Sequence, residues 1–454
     1  MLAVDNRTIL KRVARLGSPV FIEQVLLYLV GVSDTILTGR YLGANDLAAV
    51  TVSGYLFWFL ETLLVIVSIG ATAIVARMFG ANERDEANVV CEQSMLLAIA
   101  AGTLIAVSGW VAAPSLVNLL NLEGEAGQSA VMFLRIIVLA TPFLSCTVVG
   151  IAALQGAGDT RTGMWLMILF NVQNIALTWS MVRGLGPLPS LGLKGIAIGT
   201  ALSETTAGLL VLALLIRGCS GLKIRPRGWK PSVEVIQRVL RISLPAAGES
   251  VANIIGQLWF LSLINKLGPI ATAAHGVAIR CEAVSFLTVA AFSVPASTLT
   301  GQYLGAKRPD LADRSARLCW LLGVVVMTSF GMVLMVAAKP MFSIFLGDRQ
   351  PEVTAVGVPV LRVVAFAMPA LATIVILSGS LRGAGDTRWP SLIVFFGYVA
   401  VRIPLTYWLT SPPSAGGMGW GLYGAWVAML ADLIVRGSLI MARFLQGGWR
   451  LTEV

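Results

Sequence analysis

Seven acidic residues lie within stretches of this chain that are otherwise apolar: Glu23, Asp34, Glu61, Glu204, Glu249, Glu282 and Asp432. A charge at the centre of a membrane helix costs about 2.5–3.5 kcal/mol on insertion scales, so each acid needs a partner or a task. A carboxylate so placed can take up a proton, join other oxygens around a cation, or hold a cationic compound. Asp34 is the strongest candidate for ion coupling. Glu23 precedes it by eleven residues, close to three helical turns, so both point the same way about 16 Å apart as an acidic stripe facing a central cavity. Glu249 and Glu282 are the second candidates. Arg280 lies two positions from Glu282, points elsewhere, and is available to another helix. That group reads either as a structural Arg–Glu network or as a cation or drug site.

Neutral polar and aromatic residues extend the list. Asn171, Asn174 and Thr178 fall at i, i+3 and i+7, on one face of a helix. They either line a site or act as polar glue between helices. Tyr55, Phe57 and Trp58, with Trp259 and Phe260, sit where a cavity lined by rings would hold flat cations by stacking and cation–π contact. Other chemistries find no support. The single histidine, His275, has no histidine or cysteine partner in sequence, and the five cysteines show no CxxC spacing. Neither a metal site nor a disulfide framework is indicated, and no cofactor is expected.

The elements that carry these residues are membrane helices. Charged residues make up 12% of the chain and apolar residues 57%, with a mean hydropathy of +0.83. A soluble chain would carry about twice that charge. Twelve apolar blocks are predicted, at 18–38, 51–75, 92–113, 130–152, 163–182, 196–216, 242–264, 274–298, 317–338, 354–378, 390–410 and 421–444. Each is long enough to cross a hydrocarbon layer about 30 Å thick, and only a helix satisfies its backbone there. The net charge of +10 is unevenly spread: 22 Lys and Arg fall on one side of the blocks and six on the other. The positive-inside rule puts both termini and the basic 217–241 stretch in the cytoplasm of a multi-pass plasma (inner) membrane protein. That stretch reads as a lipid-surface contact, not a nucleic-acid site. The basic start leads into an apolar run holding Glu23 and Asp34 with no small-residue cleavage site after it, unlike a cleaved signal.

The chain is also a duplication. LRIIVLATP at 134–142 returns as LRVVAFAMP at 361–369, and each leads to GAGDTR, at 156–161 and 383–388, with an offset of 227. Pro19-x-x-x-Glu23 answers Pro245-x-x-x-Glu249, FGAN at 79–82 answers LGAK at 304–307, and GLKG at 192–195 answers GLYG at 421–424. The expected architecture is all-α: an N-terminal lobe of six helices (1–216), a cytoplasmic link (217–241), and a C-terminal lobe of six (242–454), related by a pseudo-twofold axis along the membrane normal. Against this frame Asp34 is asymmetric, since its counterpart is Phe260, and Glu282 likewise answers to Phe57. GAGDTR lacks a third glycine and follows no strand, so it is not a phosphate loop. Its glycines make a turn, Asp159 or Asp386 caps the next helix, and Arg161 or Arg388 stays at the surface. Arg135 and Arg362 are matched and read as snorkelling or packing residues; Arg402 and the pair Asp432, Arg436 read as ion pairs.

The GAGDTR loops, DTILTGRYLG at the end of helix 1, RCEAVSF in helix 8 and GLYGAWVAMLADLIVRGSLIMARFLQGGW at the end of the chain resemble the multidrug and toxic compound extrusion (MATE) transporters over nearly the full length. The resemblance implies a twelve-helix, two-lobe antiporter expelling mostly cationic amphiphiles in exchange for protons or sodium ions. It also implies that Asp34 is the coupling carboxylate of the N-terminal lobe. Family members carry a helix 7 acid further from the proline than Glu249 is from Pro245, and some carry an acid where this chain has Thr178. The sodium-coupled branch adds an acid on helix 10, where 354–378 holds none.

The function expected is therefore secondary export of cationic or amphiphilic compounds by a monomer embedded in membrane lipid, coupled to protons in preference to sodium. A lipid-linked precursor flippase of the same superfamily calls for a basic cavity, whereas seven acids lie in these helices. A membrane enzyme lacks its nucleophile and base, and a channel suits twofold duplication less well than rocking lobes. Topology is directly testable. Reporter fusions after Gly127 and after Leu222 are expected to read outside and inside; the reverse pattern overturns the assignment.

Overall fold

Ten of the twelve predicted apolar blocks each lie within one α-helix of the computed structural model, which describes residues 5–120, 122–184, 189–225, 229–347 and 350–452; block 130–152 is broken at 139–140 and block 390–410 contains a π-helical turn. Arg227 and Arg349, both counted in the charge asymmetry, fall outside these ranges. In chain order the helices are α1 (Asn6–Tyr41), α2 (Ala44–Ala81), α3 (Arg84–Leu119), α4 (Gly124–Val138), α5 (Thr141–Ala157), α6 (Arg161–Arg183), α7 (Leu193–Arg217), α8 (Val233–Asn265), α9 (Pro269–Gly305), α10 (Pro309–Leu346), α11 (Pro351–Gly383), α12 (Arg388–Phe396), α13 (Ile403–Thr410) and α14 (Gly421–Gln446). Among the described residues, eleven spans are long and apolar enough to cross a membrane, and α4 with α5 makes a twelfth as a pair bent by 52°.

That bend separates the halves, because the matched α11 runs straight through its own Pro369. A proline removes one helical hydrogen bond, which need not break the helix by itself. The difference lies one residue earlier. Thr141 donates its hydroxyl to Val138 O at 2.7 Å and to Gly102 O at 2.8 Å, holding the chain open at Leu139 and Ala140. The matched residue in α11 is Met368, which offers no donor.

The chain divides into two compact units, residues 18–243 and residues 1–17 with 244–454. Helices α1 and α8 each belong to both. Each changes unit just before a matched proline, Pro19 in one and Pro245 in the other, so the halves of the sequence and the units differ by these two segments. Within the first unit the basic link lies on α3. The backbone N–H groups of Lys223, Arg225 and Ser232 donate to Asn88 Oδ1, Glu92 Oε1 and Gln93 Oε1 at 2.8, 2.6 and 2.8 Å. Gln93 Nε2 returns a bond to Lys230 O at 3.0 Å. Arg225 and Arg238 pair with Asp85 and Glu86, while Lys223 and Lys230 stay exposed.

The GAGDTR loops serve as helix joints in both units. Gly156 lies against the Thr72 backbone of α2, and Gly383 against the Ser297 backbone of α9; a Cβ at either would clash. Asp159 caps α6 as expected, accepting the N–H groups of Arg161 and Thr162 at 3.1 and 3.0 Å. Burial raises its carboxyl, but bonds from Ser220, Thr162 and the two N–H groups outweigh this and hold it below the ordinary range. The expectation for Asp386 needs correcting. Its Oδ2 accepts two bonds from Arg443 of α14, at 2.9 and 2.8 Å. At the offset of 229 the residue answering Arg443 is Leu214, so only the second loop has a guanidinium to turn to.

Between α12 and α13, residues Gly397–Arg402 form a π-helical turn, a widened turn frequent at functional sites. Its first residue lies against the side chains of Asp432 and Arg436 with no room for a Cβ. Gly397→Ala is expected to cost about 1–3 kcal/mol by overpacking, read as a lower unfolding midpoint of the detergent-purified chain by tryptophan fluorescence. An unchanged midpoint would show that this contact does not hold the turn.

Candidate cation-coupling site

Asp34 lies in the last third of α1, within the unit of residues 18–243, and is 8% exposed. Two helices reach it. Thr200 of α7 donates its hydroxyl to Asp34 Oδ2 at 3.3 Å, and Asn174 of α6 donates Nδ2 to Thr200 Oγ1 at 3.0 Å. The result is a directed chain, amide to hydroxyl to carboxylate, across three helices. Asp34 Oδ1 is buried without a hydrogen-bond partner, and so are Asn174 Oδ1 and Asn171 Oδ1. Unsatisfied buried acceptors are costly, and here three oxygens of neighbouring residues remain open to a donor or a cation. Asn171 Nδ2 and Thr178 Oγ1 are bonded back to their own helix, at Met167 O and Asn174 O.

The polar face at 171, 174 and 178 thus contributes Asn174 through a residue that sequence reading missed. Thr200 is one of three threonines in α7, with Thr205 and Thr206, and on its own it carries no signal. Its counterpart at the offset of 229 is Met429, so the asymmetry that singles out Asp34 would also have found Thr200.

Glu23 does not join this chain. It lies eleven residues earlier in α1, where Gln155 Nε2 of α5 approaches both its oxygens at 3.4 Å. The same arrangement occurs in the other unit with one change. Glu249 of α8 faces Arg382 of α11, with Nη1 and Oε2 3.6 Å apart, and 382 is the position that answers 155. The first acid therefore meets an amide and the second a guanidinium. Arg280, expected near these acids, is exposed.

The unit of residues 1–17 and 244–454 holds a denser cluster. Asp432, fully buried, accepts Arg402 Nε at 2.8 Å and Arg436 Nη2 at 2.6 Å. Tyr398 lies between the two guanidiniums, whose carbons sit 4.6 and 4.9 Å from its ring centre, and its hydroxyl donates to Asn253 Oδ1 at 3.3 Å. The ion pairs expected of Arg402, Asp432 and Arg436 are thus one network. Glu282 of α9 is 6% exposed. Of the aromatic candidates, Phe260 is wholly buried and edge-on to His275 and Trp426. Trp259 tilts against Tyr407, and Tyr55 and Trp58 are exposed, three residues apart on α2.

Comparison with known proteins follows this geometry. The family model MatE matches residues 19–180 and again 245–408. The chain is 31% identical to the probable multidrug resistance protein NorM of Thermotoga maritima, over 98% of its own length and 94% of the relative's. It is 26% identical to the uncharacterised transporter YisQ of Bacillus subtilis, over 95% and 93%. A crystal structure of a MATE protein in a bent conformation superposes with a TM-score of 0.87 at 21% identity, covering 97% of this chain and 94% of that one. That likeness shows the fold: two lobes and twelve membrane helices.

The chain from Asn174 to Asp34 predicts a graded pair of variants. Asp34→Asn is expected to abolish ion-driven dye efflux with expression and insertion unchanged, because it keeps the shape and removes the titratable charge. Thr200→Val is expected to slow efflux by roughly tenfold, the worth of one hydrogen bond to a charged group. Full transport by Asp34→Asn at matched expression rules out this site.

Proposed function

The chain belongs to the MatE family of membrane transporters, and from that premise we propose that it exports cationic or amphiphilic compounds in exchange for protons, with Asp34 as the coupling carboxylate. The observation that carries the reading is the state of Asp34. It is buried, makes no ion pair among the described residues, and receives a single donor, Thr200. A carboxylate without a fixed counter-charge can alternate between a charged and a neutral form, and each form can favour a different arrangement of the helices around it. Two acids on the other side of the duplication, Glu249 and Asp432, are less free to alternate, since they face arginines. The amphiphile class follows the named relatives, one of them a probable multidrug resistance protein, and the exposed rings of Tyr55 and Trp58 suit flat cations. We assign the protein to the plasma membrane as a monomer with both termini cytoplasmic, on the charge asymmetry of its loops.

Sodium is the second reading. The open oxygens of Asp34, Asn174 and Asn171 are the ligand type a hard cation takes. Against it, α11 carries no acid beyond Glu352 in its first turn, so one carboxylate alone would offset the charge of the ion. Dye export from inverted vesicles separates the two. An imposed pH gradient without sodium is expected to drive export; export driven by sodium at fixed pH, and not by the pH gradient, overturns the proton assignment in favour of the asparagine oxygens.

A further inference from the structure

Helices α6 and α7 run antiparallel in a register fixed by close contacts. A Cβ on Gly195 would meet Met181, and one on Gly199 would meet Thr178. Asn174 bonds Thr200, and Gln173 donates Nε2 to Thr206 Oγ1 at 3.0 Å. One turn further toward the basic link, this register brings Asn171 of α6 level with Glu204 of α7. Glu204 follows Thr200 by four residues, so it stands on the same strip of α7, about 6 Å along the axis from the residue that bonds Asp34. It is 9% exposed, and its carboxylate makes no hydrogen bond or ion pair among the described residues.

Few charges surround it. Of the helices packed against α7, α5 holds no charged residue and α6 holds only Arg161 and Arg183, at its two ends. Helix α4 holds Glu125 and Arg135, and Arg135 donates Nε to Trp110 O at 3.2 Å. Helix α1 brings Asp34 to Thr200, and α2 adds Glu61 to the same unit. Donors and acceptors here do not balance. The Thr200 hydroxyl goes to Asp34, the Asn174 amide to Thr200 and the Asn171 amide to Met167 O. Oδ1 of Asp34, Asn174 and Asn171 is buried in each case without a donor, and an ionised Glu204 adds two more acceptors. A protonated Glu204 supplies a donor at the level of Asn171. Two carboxylates one turn apart in an apolar interior also repel when both are ionised. The duplication marks both acids: Glu204 answers Leu433 at the offset of 229, as Asp34 answers Phe260.

We propose that Asp34 and Glu204 share one coupling proton, with Glu204 holding it while Asp34 is charged. The inference rests on the proton reading above and adds a second carboxylate to it. The step is a transfer within the pair. The O–H bond of Asp34 breaks as one to Glu204 forms, and the negative charge passes from Glu204 to Asp34. The proton thereby moves one turn toward the link, the side that the basic loops place in the cytoplasm.

The test is proton release when ethidium binds the detergent-purified chain, read with a pH indicator as a function of pH, with binding followed by ethidium fluorescence. Groups that share a proton titrate together in two steps. Release by the wild-type chain is expected to follow two steps. Glu204→Gln, and Glu204→Leu with the residue of the matched position, are each expected to lose one of them. Two steps in both variants, with one lost in Asp34→Asn, overturn the sharing and leave the proton reading intact. No release by the wild-type chain overturns both. Loss of a step in Glu61→Gln while Glu204→Gln keeps two moves the shared proton to α2 and overturns the proposal. Loss of ethidium binding by both Glu204 variants overturns it as well, making Glu204 a substrate contact.

Discussion

A polar group inside an apolar span has no water to turn to, and the internal organisation of this protein follows from that constraint. Four of its acids, Glu23, Asp34, Glu249 and Asp432, are answered by another helix. The two halves, built from one repeat, answer differently. In the second, Glu249 meets Arg382 and Asp432 meets Arg402 and Arg436. In the first, Glu23 meets Gln155 and Asp34 meets Thr200. Guanidinium against carboxylate makes a locked pair, and removing either partner strands a buried charge. Amide or hydroxyl against carboxylate leaves the charge of the acid unfixed.

That difference gives the halves different mechanical characters. The Asp432 network ties α14 to the π turn and, through Tyr398, to α8; few rearrangements keep so many charges satisfied. The chain from Asn174 through Thr200 to Asp34 is held by two neutral donors and leaves acceptors open. On the proposed reading, these open acceptors are where an arriving proton or cation would be received. The bend between α4 and α5 lies in the same half, again because a threonine replaces an apolar residue.

Most of the architecture was legible in the sequence, for a physical reason. Span length, hydropathy and the exact repeat of LRxxxxAxP and GAGDTR act along the chain, and ten of the twelve predicted blocks each fall in one α-helix. Asp34 stood out in the sequence as well, because the residue matched to it by the duplication is Phe260. The partners of the acids were harder to find. Gln155 and Thr200 are ordinary residues in helices until the fold brings them to Glu23 and Asp34. The bend at Thr141 depends on a hydroxyl reaching Gly102 on α3, and no local pattern records that. The turn of Asp386 toward Arg443 has the same origin: the loops are identical, and what differs is a residue 57 positions away.

Duplication therefore explains the specialisation as well as the fold. A repeat supplies two copies of each acid-bearing helix pair, and one copy is enough to keep a span anchored. At matched positions Glu249 faces Arg382 and Glu23 faces Gln155, and where the first half carries Asp34 the second carries Phe260. Phe260 is completely buried against His275 and Trp426, so its half has exchanged a titratable group for packing. On the proposed reading, the titratable Asp34 and the arginine-paired Glu249 and Asp432 lie in different halves of one chain, so a proton taken up at the first would leave the second set balanced.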